Sequence, residues 1–499
     1  MLLFVLLLSI SFVFSGCAVN GKPMRFEPSQ VNTNPALSWY IEGTTKPEDK
    51  TQAGAKISCS FVEFDERGDF IDFRQHRDCE AKITNMVAAG PVLLVMYCHG
   101  WKNNSQSDDV IRFNSFLAKI ASSDEVLRRG YRVHGVYLSW RGNVVHPYID
   151  KSDPDGFYQD TTNIYEKPIV DSKYNRWSYW LGFLPENVDF FTRQRAAEHL
   201  VSALPMARAI FTYASAAKNY GAKMDNQVFV MGHSMGALML ERSLGQAMTG
   251  SLVMEWWDGA KKAAIENKPA LPFDFILLLN SAAPSLYAKE MRDFLEANRR
   301  ALRQAPGSSF PVIVSLTSTA DGATGGIYPM AHTLDSLRPS LQREYTTAIF
   351  GTNGETHAPI RQYKFYNKTP GHQPYLINHW IIPEKEPMPK AISGTKAVFE
   401  ANLSRTPPQD PHIFYTSNPL TAWCITNNPV PPYKEVKLNG RPLAMQDSDY
   451  WIVNCGKKLI ASHGDIWSTK TMEMYAGLYR LAVYLKEKNQ ESHGQAPPK

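Results

Sequence analysis

QVFVMGHSMGALMLE, Gln227–Glu241, decides how the rest of the chain is read. Val228, Phe229, Val230 and Met231 form a short continuous apolar run, the pattern of a strand buried on both faces, and Ala237, Leu238, Met239 and Leu240 continue as a buried helix. Between them stands Gly232-His233-Ser234-Met235-Gly236. A serine on a sharp strand-to-helix turn sits in a strained backbone and needs glycine two residues before and after it, the G-x-S-x-G pattern of a nucleophile elbow. Taken alone, five letters also fit an ordinary Gly/Ser turn. A strand on one side and a helix on the other favour the elbow.

Working outward, the same alternation recurs. Ile57–Arg77 alternates apolar and polar residues about Asp65-Glu66-Arg67-Gly68-Asp69, which predicts a hairpin. Val92–Tyr97 is a buried strand leading into His99-Gly100-Trp101, Val110–Ser122 carries helical spacing, and Tyr131–Trp140 is a strand again. Arg193–Lys218 is alanine-rich and helical, with Pro205 a kink. After the elbow come a strand at Phe273–Leu279, a helix at Leu286–Leu302 and a strand at Pro311–Thr317. Tyr450–Val453 and Leu459–Ala461 are short strand-like pieces before His463, and Met474, Leu478, Leu481 and Leu485 line one face of a closing helix. Strands alternating with helices specify an α/β fold with a mostly parallel central sheet and helices on both faces. Two long segments interrupt it: 143–190, rich in aromatics, is either a lid or a packed excursion, and Pro-rich 322–449 is an insertion, either a cap subdomain or a surface arm.

The 499 residues suffice for one large core with insertions or for two domains. A net charge of +5 from scattered Lys and Arg supplies no basic patch, so nucleic acid is not an expected partner. Leu2–Phe14 is an apolar run too short to span a bilayer comfortably, and it ends in Ser15-Gly16-Cys17. It resembles a bacterial lipoprotein signal, which implies cleavage after residue 16, acylation of Cys17 and export to the cell envelope; a plain secretory signal or an uncleaved anchor is the alternative. Residues 17–56 then read as a tether and 489–499 as a disordered tail. Export permits disulfides. Cys424 with Cys455 is the expected bridge, Cys59 with Cys79 is a weaker pairing, and Cys98 reads as a buried free thiol. No cysteine or histidine spacing resembles a metal site, and no cofactor motif stands out.

With these pieces in order, the chain resembles the α/β-hydrolase superfamily, and within it exported serine-esterase-like members, over roughly Ile57–Asp321 and Tyr450–Leu485. The likeness rests on His99-Gly100-Trp101, on Ser139-Trp140-Arg141-Gly142, on Gly232–Gly236, and on the pair ADGATGGIYP (Ala320–Pro329) and SHGDIW (Ser462–Trp467). It implies the order Ser234, Asp321, His463 for nucleophile, acid and base. A serine hydroxyl is a poor nucleophile at neutral pH, so it needs a base within hydrogen-bond reach and a group that orients that base. The resemblance also implies an oxyanion site made by the backbone N–H groups of Trp101 and Met235. His233 is expected to point into the elbow, His99 to shape its loop, and Asp465 to cap the closing helix. The function implied is hydrolysis of a carboxylic ester, small-molecule or lipid, through an acyl-serine, with acyl transfer or peptide hydrolysis open to the same residues. A different class of reading is a non-catalytic, envelope-tethered binding or scaffold lipoprotein that keeps the fold.

Overall fold

The computed structural model describes residues 23–31, 35–44, 56–65, 67–142, 193–194, 196–198, 204–219, 226–245, 272–297, 313–332, 344–351, 354–374, 376–383, 412–415, 422–426, 437–438, 441–442 and 450–479. The expectations for the signal segment, Cys17, the 143–190 segment and the tail fall outside these residues. The chain divides into two compact units, Met1–Gln227 and Val228–Lys499. Among the described residues no helix is long and apolar enough to cross a membrane.

In the first unit, β1 (Tyr40–Thr44), β2 (Lys56–Glu63), β3 (Val92–Cys98) and β4 (Arg132–Ser139) lie in the order β1-β2-β4-β3. β2, β4 and β3 pair in parallel, and β1 pairs antiparallel to β2. Every residue of β3 is buried, as a strand covered on both faces requires. The helices are α1 (Phe73–Ala89), α2 (Asp108–Ala121), α3 (Asp124–Arg129) and α4 (Leu204–Asn219). A Cβ on Gly135 of β4 would meet Leu117 and Phe113 of α2, whereas its neighbour His134 bonds Ser58, which in turn contacts Met86 of α1. Successive strand residues point to opposite faces, so α2 and α1 cover opposite sides of this sheet.

Two expectations are corrected here. The turn at Asp65–Asp69 exists, with Asp65 Oδ1 accepting from the N–H groups of Arg67 and Asp69 at 2.8 and 2.9 Å. Its second arm, however, pairs back only through the Phe64–Phe70 bridge and Ile71 N–H on the Glu63 carbonyl at 2.9 Å, and from Phe73 onward is α1 and not a strand. Asp72 caps that helix, and Gln75, His76, Cys79, Ile83 and Val87 bury one face at helical spacing. The N-terminal antiparallel pair is instead β1 with β2. The described residues of the stretch read as a tether are also packed. The N–H groups of Met24 and Arg25, the Gln75 amide and the Ser105 hydroxyl all donate to the buried Glu63 carboxylate. The guanidinium of Arg25 lies 3.8 Å above the Phe61 ring.

The second unit carries β5 (Gln227–His233), β6 (Phe275–Leu279), β7 (Ile313–Ser318), β8 (Glu344–Gly351), β9 (Gly354–Arg361), β10 (His379–Pro383), β11 (His412–Tyr415), β12 (Ala422–Thr426), β13 (Lys437–Leu438), β14 (Arg441–Pro442) and β15 (Tyr450–Cys455). Its main sheet runs β5-β6-β7-β15-β10-β12-β11, parallel from β5 to β10 and antiparallel beyond. The segment 322–449 is therefore no simple insertion, because three of its strands complete this sheet; β8 with β9 and β13 with β14 form separate ladders. The helices are α5 (residues 235–245), α6 (Ser285–Ala297), α7 (Tyr328–Ala331), α8 (Tyr363–Tyr366) and α9 (residues 469–479). A Cβ on Gly232 would strike Leu240 and Ala237 of α5, while Phe229 stacks on Tyr479 of α9 at 5.8 Å. Odd and even residues of β5 thus meet helices on opposite faces. Both units are α/β, built on mostly parallel sheet.

Leu459–Ala461, expected as strand, is not one: Lys457–Leu459 form a turn closed by Leu459 N–H on the Gly456 carbonyl at 3.0 Å, and Ile460 and Ala461 follow it outside any strand. Cys59, Cys79, Cys98 and Cys455 are buried free thiols. The expected Cys424–Cys455 bridge fails on register: Cys424 stands opposite Ile382 and Cys455 opposite Ile381, on either side of β10. Two inter-strand spacings make about 9–10 Å, beyond the roughly 7 Å that a disulfide spans between Cα atoms.

Candidate active site

Ser234 follows directly on β5 and precedes the first residue of α5. Its φ is +56°, a left-handed backbone that non-glycine residues adopt at a cost of about 1–3 kcal/mol. Hydrogen bonds on both sides hold it there. Its N–H donates to Leu279 O at 2.9 Å, and its carbonyl accepts from Ala282 and Leu238 N–H at 3.1 Å each. A Cβ on Gly232 would lie 2.6 Å from Leu240 Cδ1 and 3.0 Å from the Ala237 backbone, so glycine is required for the helix to turn back this closely.

β7 ends at Ser318, and the chain turns at once, with Asp321 N–H on the Ser318 carbonyl at 3.1 Å. This delivers Asp321 to the carboxyl edge of the sheet. Its Oδ1 accepts from Ala323 and Thr324 N–H at 3.0 and 3.1 Å. Its Oδ2 accepts from the Thr324 hydroxyl and from His463 Nδ1 at 2.8 Å. Burial raises the pKa of this carboxyl, but His463 and the Thr324 donors outweigh burial and hold it down at about 2. Asp321 is therefore an anion with four donors.

With its Nδ1 proton on Asp321, His463 presents Nε2 as an acceptor, and Ser234 Oγ lies 2.8 Å away. The Asp321 side chain is wholly buried while that of His463 is 27% exposed, so the acid is sealed behind a base that still meets solvent. The structure brings Ser234, Asp321 and His463 together in one hydrogen-bonded line.

Several neighbours fix the base, and sequence reading missed most of them. His233 Nε2–H and Asn280 Nδ2 both donate to the His463 carbonyl at 2.9 Å. His233 thus points to the histidine loop and not into the elbow. Asn280, directly after β6 with φ +44°, also accepts from Ser318 N–H at 3.1 Å through Oδ1. One side chain therefore ties the strand bearing the acid to the loop bearing the base. The Ser318 hydroxyl donates to Ile460 O at 2.6 Å from the same strand end. Asp465 accepts from Ala461 N–H at 2.9 Å inside the loop, and Ser468 caps α9, its Oγ accepting from Thr471 N–H at 3.3 Å. The cap expected of Asp465 belongs to Ser468 because α9 starts later than the sequence pattern suggests.

Met235 is the first residue of α5, so its N–H is among the donors that have no carbonyl partner within the helix. Trp101 belongs to the first unit, in the turn after β3. There His99 is fully buried: Nδ1–H donates to Gly100 O at 2.9 Å, Nε2 accepts from Trp140 N–H at 3.1 Å, and Trp140 Nε1 donates to the His99 carbonyl at 2.9 Å. Burial lowers the His99 pKa to about 4, leaving it a neutral brace. Lys102 N–H closes the turn on Gly142 O at 2.8 Å, and a Cβ on Gly142 would come within 2.7 Å of Asn103 O. The HGW and SWRG motifs are one bonded unit.

Among the described residues no group of three or more His, Cys, Asp or Glu is placed to hold a metal ion. The chain matches no family model, no curated protein and no solved structure.

Proposed function

We propose that the chain is a serine hydrolase with the α/β-hydrolase fold, acting on carboxylic esters through an acyl-Ser234 intermediate. The observation that carries this reading is the Ser234–His463–Asp321 line, with both contacts at 2.8 Å and the order serine, acid, histidine along the chain. The left-handed backbone at Ser234 and the parallel strands beneath it add support.

In this mechanism Ser234 Oγ attacks the ester carbonyl carbon while its proton passes to His463 Nε2. Asp321 holds the imidazole in the Nδ1–H tautomer and stabilises its positive form. The carbonyl oxygen becomes an oxyanion, which the N–H of Met235 would stabilise; one such donor is worth about 3 kcal/mol. Collapse expels the alcohol, which takes the proton from His463. Water then attacks acyl-Ser234, giving its proton to His463, and the carboxylic acid leaves as Ser234 recovers its hydrogen. Export and acylation at Cys17, a membrane anchor and hence an envelope location, belong to the same proposal and rest on residues 1–17 alone. The close Ser234–His463 contact favours turnover over a binding or scaffold role.

Hydrolysis of p-nitrophenyl acetate and butyrate tests the reading. The wild type is expected to turn over both, and Ser234→Ala to lose more than about 10⁴-fold in kcat/KM. A folded wild type with no rate above background, or a Ser234→Ala protein as active as wild type, contradicts it.

A further inference from the structure

Behind Asp321 the hydrogen-bonded line does not stop. The Thr324 hydroxyl gives its single proton to Asp321 Oδ2, so the 3.2 Å contact between Thr324 Oγ1 and His372 Nε2 requires the proton to sit on His372 Nε2. A second histidine thus donates to the group that donates to the catalytic acid.

His372 is built into this place. It closes the 3-10 turn Pro370–His372, with its N–H on the Thr369 carbonyl at 3.0 Å. A Cβ on Gly371 would sit 2.1 Å from Thr317 Cβ of β7, and Asn454 Nδ2 of β15 donates to the Gly371 carbonyl at 3.0 Å, so the turn is pressed onto the two strands that flank the acid. A Cβ on Gly325 would come within 2.9 Å of the imidazole, so a glycine next to Thr324 makes room for the ring. The charged and titratable groups facing His372 are Asp321, Lys368 and His463. Burial, Lys368 and His463 favour its neutral form, and Asp321 opposes them.

We propose that Thr324 and His372 are positioning residues that extend the Ser234–His463–Asp321 line to five members, His372 orienting the Thr324 hydroxyl and Thr324 holding the Asp321 carboxylate in the plane His463 requires. The segment that supplies His372 therefore serves the site as well as the sheet edge. A ring that only filled space would have no reason to aim a nitrogen at Thr324, nor to leave that hydroxyl aimed at the acid.

The test is a double-mutant cycle with Thr324→Val and His372→Leu, measured by ester kinetics and by the proton resonance of the His463 Nδ1–H that bonds Asp321. Its kinetic arm rests on the hydrolase reading and its spectroscopic arm does not. Each single variant is expected to lower kcat about tenfold or more with KM within about twofold. The double variant should lose little more than the worse single, because both act on one line. Thr324→Ser, which keeps the hydroxyl, should recover most of the loss. The His463 proton resonance should move in both Val and Leu variants and return in Thr324→Ser. Additive losses, losses confined to KM, or an unmoved resonance in folded Thr324→Val and His372→Leu protein overturn the inference. A wild type that turns over no ester but whose resonance moves as expected keeps the positioning line and overturns only the hydrolase reading.

Discussion

At the scale of single residues, position matters more than identity. His463 is useful because its carbonyl is clamped by two donors, His233 and Asn280, whose own backbones are set by β5 and β6. Asn280 is the more exposed to test, since it also accepts from Ser318 N–H at the end of the acid's strand. Asn280→Asp keeps that acceptor but turns an anionic oxygen toward the His463 carbonyl, so the loop must move. The expected outcome is a fall in kcat of about tenfold to a hundredfold with KM little changed. An Asn280→Asp protein with wild-type kcat would show that the clamp does not orient His463. None of these partners has a local signature. Asn280 and His463 are 183 residues apart, and Thr324 and His372 are 48 apart, so no pattern in either neighbourhood announces the bond. Ser234, Asp321 and His463 were legible for the opposite reason: each follows a strand that is buried on both faces, and such strands read plainly as apolar runs.

At the scale of elements, α5 carries two roles. Its first turn backs Ser234, and two turns further on Glu241 is buried against the Tyr450 hydroxyl at 2.6 Å and the Ser281 hydroxyl at 3.4 Å. Burial raises the Glu241 pKa from 4.5 to about 7, against the opposing pull of its two hydroxyl donors. The folded state therefore holds this proton more tightly than the unfolded chain. The stability it confers is complete below about pH 4.5 and lost as the pH rises to about 7, a change of about 3 kcal/mol. Glu241→Gln, with no proton to lose, should gain on wild type by about that amount between pH 4.5 and 8 in denaturant unfolding. Parallel pH dependences for the two proteins would mean that Glu241 is not held protonated. The strands around this helix were readable from sequence, but α1 was not. Its stretch opens Phe73-Arg74-Gln75-His76-Arg77, which alternates well enough to mimic a strand, and its helical stripe at Cys79, Ile83 and Val87 lies further along. The edge strands β10, β12 and β11 escaped notice because they sit among prolines in a stretch with no helical spacing between them.

At the scale of the whole molecule, the second unit holds Ser234, Asp321, His463, the residues that orient them and the Met235 N–H, on a sheet whose parallel strands β5, β6 and β7 lead directly into Ser234, Asn280 and the turn to Asp321. The first unit holds the bonded HGW and SWRG turns at the ends of β3 and β4, and buries Cys59, Cys79 and Cys98 as free thiols. The central claim is that Ser234 is a nucleophile activated by His463. Reaction of the full chain with a fluorophosphonate, followed by peptide mass mapping, tests it most directly. One phosphonyl adduct on the peptide bearing Ser234, lost in Ser234→Ala and formed far more slowly in His463→Ala, is the expected result. A folded wild type that stays unmodified, or an adduct that persists in Ser234→Ala, would contradict it.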